Sequence, residues 1–226
     1  MHQHQGQDRG AAGPGRARRR HRCRSRCVAR AASCRQRRIR RLSAIPKAGV
    51  LRLFFALWPD PVTRDSLAVT ADRLRKVCGG RSPAADNLHL TLAFLGDVPA
   101  IRLPELENLA AALVREPFVL HLDRIGYWRQ QRLVWAGSQS CPRELAVLVA
   151  ALADGLRARG FRTERRSFKP HVTLLRDVRT APAQAACKLA AWCPTRFVLA
   201  CTQATNHGVE YRVLGTWPIT GIAAAL

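Results

Sequence analysis

The sequence predicts an α+β fold in two related lobes, and two observations carry that expectation. The first is a matched pair of apolar segments, Leu88-His89-Leu90-Thr91-Leu92-Ala93-Phe94-Leu95 and Pro170-His171-Val172-Thr173-Leu174-Leu175. The second is the order of the hydrophobic patterns. It reads strand–helix–strand–helix–strand–strand, then helix–strand–helix–strand–strand, which places one His-x-Thr segment in each run. Successive side chains on a strand point to opposite faces. His89 and Thr91 therefore share one face, with Leu90 and Leu92 on the other, and His171 and Thr173 repeat the arrangement. Two such strands can bring two imidazoles and two hydroxyls to one groove.

The pattern of order begins at Val50. Residues 50–57 are apolar throughout and of strand length. Asp60-Pro61 then supplies an N-cap and a first-turn proline. Leu67, Ala71, Leu74 and Cys78 follow at helical spacing, and Gly79-Gly80 ends that helix. The His89 strand comes next and is expected to stop at Gly96-Asp97. A second helix is expected from Pro104, with Leu106, Leu109 and Leu113 on one face. Residues 118–122 and 132–136 read as strands of a hairpin turning around residues 126–131. A third helix follows Pro142, burying Leu145, Leu148, Val149, Leu152 and Leu156, with Gly160 as its stop. After the His171 strand, an Ala-rich stretch from Pro182 to Trp192 takes the helix position of the second run. Two strands, residues 196–202 and 210–214, complete the chain around a turn holding Asn206-His207-Gly208.

Length and charge bound the function. The 226 residues suit one domain with a proper core. No run approaches eighteen apolar residues, so no membrane span is expected. The formal charge of +23 is uneven: the first fifty residues hold fifteen Lys and Arg against the single acid Asp8. The remainder is still basic and favours a polyanion such as RNA. Residues 1–48 lack apolar periodicity, and their like charges repel in any compact state. They read as an RNA-binding arm, a transit peptide or sequence upstream of the native start. We expect the last, because order begins abruptly at Val50 and valine can be encoded by an alternative start codon. The domain is thus set at 49–226. The eight cysteines contain no C-x-x-C pair and read as reduced thiols rather than a disulfide or zinc framework.

With seven His and eleven Thr, chance supplies about a third of one His-x-Thr match, so two matches inside strand-like segments point to a site. Imidazole titrates near pH 6.5, so one His can accept a proton while the other donates one. A threonine hydroxyl one pleat away can donate to a phosphate oxygen as negative charge grows there. A Thr nucleophile lacks an acid to orient its histidine. Zinc lacks a third ligand, since Asp86 and Asp97 fall in expected loops. Metal-free cleavage of a phosphodiester suits the pattern best.

These residues resemble the signature of the two-histidine (2H) phosphoesterase superfamily, and its bacterial RNA 2′,3′-cyclic phosphodiesterase (2′-5′ RNA ligase-like) branch in particular. The likeness runs from Leu51 to Trp217. It includes Arg52-Leu53-Phe54-Phe55-Ala56-Leu57, residues 85–96, Lys169-Pro170-His171-Val172-Thr173-Leu174-Leu175-Arg176 and Tyr211-Arg212-Val213-Leu214. The resemblance implies a bilobal α+β fold with two pseudo-symmetric lobes of mainly antiparallel sheet, helices outside and a central cleft. It implies hydrolysis of an RNA-terminal 2′,3′-cyclic phosphate to a 2′-phosphomonoester, with 2′-5′ ligation as the reverse reaction. His89 would be the general acid and His171 the general base, with Thr91, Thr173 and Arg176 holding the phosphate. Phe168, read from its type alone, is a candidate for stacking on a base and equally for the core. No cofactor or metal is expected, the partners would be RNA ends, and the protein would act as a cytoplasmic monomer. Two alternatives stay open: an RNA-binding protein without catalysis, and a phosphodiesterase for a small cyclic nucleotide.

Overall fold

The computed structural model describes residues 49–164, 166–182, 186–206 and 208–220. The basic extension 1–48 and His207 lie outside them. Strand β1 (Val50–Leu57) leads into helix α1 (Pro61–Cys78). Both carboxylate oxygens of Asp60 cap that helix, accepting from the Thr63 amide and hydroxyl at 3.0 Å each. A 3₁₀ turn (Ala85–Asn87) precedes β2 (Leu90–Pro99), and a second (Ala100–Arg102) leads into α2 (Leu103–Ala112). Then follow β3 (Leu120–Trp128), β4 (Leu133–Gly137), α3 (Arg143–Ala158), β5 (His171–Leu175), β6 (Ala186–Trp192), β7 (Arg196–Thr205) and β8 (Gly208–Pro218). No helix of the described residues is long and apolar enough to cross a membrane.

The strands form one open sheet in the order β6-β3-β4-β5-β2-β1-β7-β8, antiparallel at every pairing. The expected lobes are its two four-stranded halves. They meet where β2 lies beside β5, with Leu90 opposite Val172. The helices stitch the halves together. Helix α1 leaves β1 yet packs on β5 and β6, and α3 leaves β4 yet packs on β2.

The three helices of the described residues cover one face of the sheet. Leu67 and Ala71 of α1, Leu106 and Leu109 of α2, and Leu145, Leu148, Leu152 and Leu156 of α3 share one core with Leu53, Phe55, Leu57, Leu90, Leu92, Val172 and Leu174. Fully burying each such leucine stabilises by about 1.5–3 kcal/mol. The opposite face of β1 is also apolar. Phe54 and Ala56 cluster there with Val198 and Ala200, against Trp58 and Tyr211. Burial on both faces explains why β1 reads as an unbroken apolar run.

Four expectations need correction. Strand β2 does not stop at Gly96-Asp97 but continues to Pro99, because two bulges keep it in register with β1. Leu92 and Leu95 are the extra residues, and the phase shift keeps Leu95 and Val98 on the core side. The β3–β4 turn spans residues 129–132 rather than 126–131, since Gly126 lies inside β3 opposite Trp135. The Ala-rich stretch is not a helix: β6 pairs with β3, whose edge groups would otherwise lack partners. Alanine's helix propensity is the weaker effect there. Finally, Cys78, Cys141 and Cys201 are free thiols but Cys193 is disulfide-bonded. Sequence spacing does not report which sulfurs a fold brings within bonding reach.

Gly126 lies beneath the Trp135 indole, and a Cβ added there meets the Trp135 ring. Gly126→Ala therefore overpacks the sheet and is expected to cost about 1–3 kcal/mol of stability. Chemical denaturation of the two proteins checks this. Equal midpoints would mean that Trp135 moves aside freely.

Candidate active site

The junction of β2 and β5 creates the site. With Leu90 opposite Val172 in an antiparallel pair, the next residues along bring His89 opposite Thr173 and Thr91 opposite His171. The four polar side chains are half-buried, while Leu90, Leu92, Val172 and Leu174 point into the core. Each histidine thus faces the other strand's threonine across the junction.

Both imidazoles are oriented alike. His89 Nδ1 lies 2.7 Å from the Asn87 carbonyl oxygen, and His171 Nδ1 lies 2.8 Å from that of Lys169. A carbonyl only accepts, so each Nδ1 carries its proton and the neutral ring presents Nε2 as an acceptor. The loop before His89 is tied down on three sides. Trp58 Nε1 donates to the Asp86 carbonyl (2.8 Å), Arg64 to the Asp86 carboxylate (2.9 Å), and Asn87 Nδ2 to the Val209 carbonyl (2.6 Å).

Aromatic rings enclose the histidines. Trp58 stacks on His89 with centroids 5.1 Å apart and planes at 23°. Tyr211 meets His89 edge-on at 4.9 Å, and Phe54 lies 5.0 Å away. On the other strand Trp128 meets His171 edge-on at 4.6 Å, with Trp135 behind at 6.3 Å. Burial is the main reason that the His89 pKa is pushed down to about 4, with the charges of Arg176 and His171 adding to it. The bond to Asn87 partly opposes this shift. Burial also lowers the His171 pKa, with Arg176 adding to the shift, while the Lys169 carbonyl and the Glu164 carboxylate work against it. Both rings are therefore largely neutral near pH 7.

A cavity of about 550 Å³ opens over this face, and His89, Thr91, Thr173 and Arg176 line it. Arg52 and Arg81 add positive charge, and no carboxylate is among the lining residues. The Arg81 guanidinium is engaged by Asp177, whereas that of Arg176 makes no ion pair or hydrogen bond with a described residue and is free to meet an anion. Main-chain bonds between Arg81 and Arg176, at 2.8 and 2.9 Å, fix Arg176 to the cavity wall. Gly80 makes that possible. Its φ of 87° is in the left-handed region, and a Cβ there would sit 2.5 Å from the Arg176 carbonyl oxygen.

His171 is not among the residues that line the cavity, although its charge bears on His89. Phe168 is not among them either, and packs against the main core. The junction thus joins His89, Thr91, His171 and Thr173, Arg176 is close by, and Phe168 is directed elsewhere. Sequence reasoning missed the aromatic enclosure. Phe54, Ala56 and Trp58 alternate onto one face of β1 and its continuation, so their side was legible once β1 is set beside β2. The place of Trp128 was not, because it depends on where the β3–β4 turn falls.

Comparisons with known proteins agree with this fold. Residues 63–200 match the 2′-5′ RNA ligase superfamily. The RNA 2′,3′-cyclic phosphodiesterase of Escherichia coli (strain K12) is 40% identical over 130 residues, covering 58% of this chain and 74% of that protein. Its namesake from Archaeoglobus fulgidus is 30% identical over 135 residues, or 58% of this chain and 76% of the relative. Among solved structures, E. coli LigT complexed with 3′-AMP superposes with a TM-score of 0.72 at 34% identity, over 76% of this chain and 99% of that one. A solved protein of Thermus thermophilus, TT0787, gives 0.63 at 27% identity, over 76% and 99%. The fold, the paired His-x-Thr strands and these matches together mean that the chain belongs to the 2′-5′ RNA ligase superfamily.

Proposed function

We propose that this protein hydrolyses the 2′,3′-cyclic phosphate at an RNA end to a 2′-phosphomonoester by acid–base catalysis between His89 and His171. The observation that carries this is the β2–β5 register, which sets two Nε2 acceptors and two hydroxyls around one junction. The names of the E. coli and A. fulgidus relatives support the substrate class, and the arginine-lined cavity suits an anion.

In this reaction His171 Nε2 takes a proton from water as the water oxygen bonds to phosphorus. The P–O3′ bond breaks, and His89 Nε2–H gives its proton to the departing O3′. Thr91 and Thr173 donate to the non-bridging oxygens as charge grows on them, and the free fork of Arg176 neutralises the anion. Running backward, with a 5′-hydroxyl in place of water, the same groups would form a 2′-5′ linkage. Hydrolysis is favoured by abundant water and by relief of ring strain. The protein would act in the cytoplasm as a monomer, on the domain 49–226 and with no metal or cofactor.

A general acid must hold a proton, yet the free site disfavours one. Lowering the His89 pKa from 6.5 to about 4 corresponds to roughly 3 kcal/mol against the imidazolium. A phosphate anion about 4 Å away returns about 4 kcal/mol at an effective dielectric near 20. The two are of the same size, so bound substrate supplies the counter-charge that lets one ring be protonated.

Two experiments test this. With an oligonucleotide ending in 2′,3′-cyclic phosphate and EDTA present, His89→Ala and His171→Ala should each lose roughly 10²–10⁴-fold in kcat. A substrate with sulfur at the bridging 3′ position leaves as a thiolate without protonation, so it should restore His89→Ala and not His171→Ala. The opposite pattern would exchange the roles, and full activity in both variants would end the proposal. In the second, kcat/KM reports the free protein, where both pKa values lie below 6.5, so its bell should peak on the acid side of pH 6.5. The bell for kcat should move to higher pH, because the bound anion favours the imidazolium. Coincident profiles would show that the phosphate does not provide the counter-charge.

A further inference from the structure

We propose that Asn87 is a positioning residue for His89 and couples that ring to the β7–β8 hairpin, a role that rests on the hydrolytic function above for the step it serves. The two His-x-Thr strands nearly repeat in sequence, yet the carbonyls that orient their rings are held differently. Before His171 the carbonyl belongs to Lys169, which is exposed and whose side chain makes no hydrogen bond or ion pair with a described residue. Before His89 it belongs to Asn87, which is half-buried and lines the cavity. The Asn87 side chain reaches β8, with Nδ2 2.6 Å from the Val209 carbonyl oxygen across 122 residues of sequence. A carbonyl only accepts, so the amide nitrogen and not the oxygen faces it. One residue thus orients His89 with its main chain and grips the edge strand with its side chain.

The side-chain bond supplies a fixed point outside the local turn. The peptide that carries the Asn87 carbonyl is held locally by the Leu88 amide, which donates to the Ala85 carbonyl at 3.1 Å inside the 3₁₀ turn. Hydrogen bonds of that helix type have poorer geometry, and Ala84, Ala85 and Asp86 are exposed. Trp58 and Arg64 anchor the turn only at Asp86. Val209 holds it one residue later, at the residue whose carbonyl meets the ring. Val209 lies on β8, the last strand of the sheet, and Tyr211 of the same strand meets His89 edge-on at 4.9 Å. Strand β8 therefore reaches His89 by two routes, through the Tyr211 ring and through Asn87. The tie belongs to the proposed acid, so loosening it should impair protonation of the leaving group and spare activation of water by His171.

Nitrogen-15 NMR of the imidazoles and turnover of two substrates test this on wild type, Asn87→Ala and Asn87→Asp, the last keeping shape but losing the donor. Near pH 7, where both rings are largely neutral, wild type should hold the proton of each on Nδ1. In the variants His89 should show a mixture of tautomers, because a free imidazole side chain favours Nε2–H, while His171 keeps Nδ1–H. On the cyclic phosphate, Asn87→Ala should lose roughly 10- to 100-fold in kcat with little change in KM. The bridging 3′-thio substrate needs no protonation of its leaving group, so on it Asn87→Ala should come within a few-fold of wild type. A His89 tautomer unchanged in both variants, or an equal loss on both substrates, overturns the assignment. The NMR needs no turnover. A tautomer shift in a protein that leaves cyclic phosphate ends intact would keep Asn87 as the residue that orients His89 and lose the hydrolytic function.

Discussion

The pairing of Leu90 with Val172 is the constraint on which the rest depends. It joins two four-stranded halves, and it decides what faces what across the junction. A slip of one residue on either strand would turn His and Thr into the core and leucines into the cleft. The apolar alternation Leu90-Thr91-Leu92 and Val172-Thr173-Leu174 resists that slip, because the outer residues of each triplet are buried beneath the helices. Helices α1 and α3 hold the junction from behind, each packing on the half opposite the strand it leaves. Core packing and site geometry are thus set by one register.

Electrostatics follows from the same layout. Rings placed over both histidines exclude water, so the site disfavours imidazolium, and the charge of Arg176 disfavours it further at both rings. In the proposed reaction, where one histidine must be protonated, that is a cost which a bound anion offsets. In the proposed reaction the substrate's own charge restores the proton, which ties the competent protonation state to occupancy. The aromatic residues also steady the site. Trp58 both stacks on His89 and, through Nε1, holds the loop whose Asn87 carbonyl orients that ring.

Much of this was legible in the sequence because it depends on local patterns. Asp60-Pro61 gave the first helix its start, and the leucine spacing of residues 145–156 gave the third its buried face. His89, Thr91, His171 and Thr173 stood out because polar residues at alternate positions in an apolar strand need a reason. What failed was decided at a distance. The stretch ending at Trp192 became a strand because β3 had an edge to fill. Strand β2 ran on to Pro99 through bulges that only its partner β1 reveals. Phe168, read on type alone as a base-stacking or a core residue, packs against the core. Phe94, read as one more apolar strand residue, reaches the cavity only because a bulge shifts its phase.

The central claim is that both His-x-Thr pairs act on a single phosphate. A structure of the protein with a nucleoside 2′-monophosphate bound tests it most directly. One phosphate is expected, with its oxygens in hydrogen-bond reach of both Nε2 atoms and both threonine hydroxyls and with Arg176 alongside. A phosphate held by one His-x-Thr pair alone, or seated away from the β2–β5 junction, would contradict it.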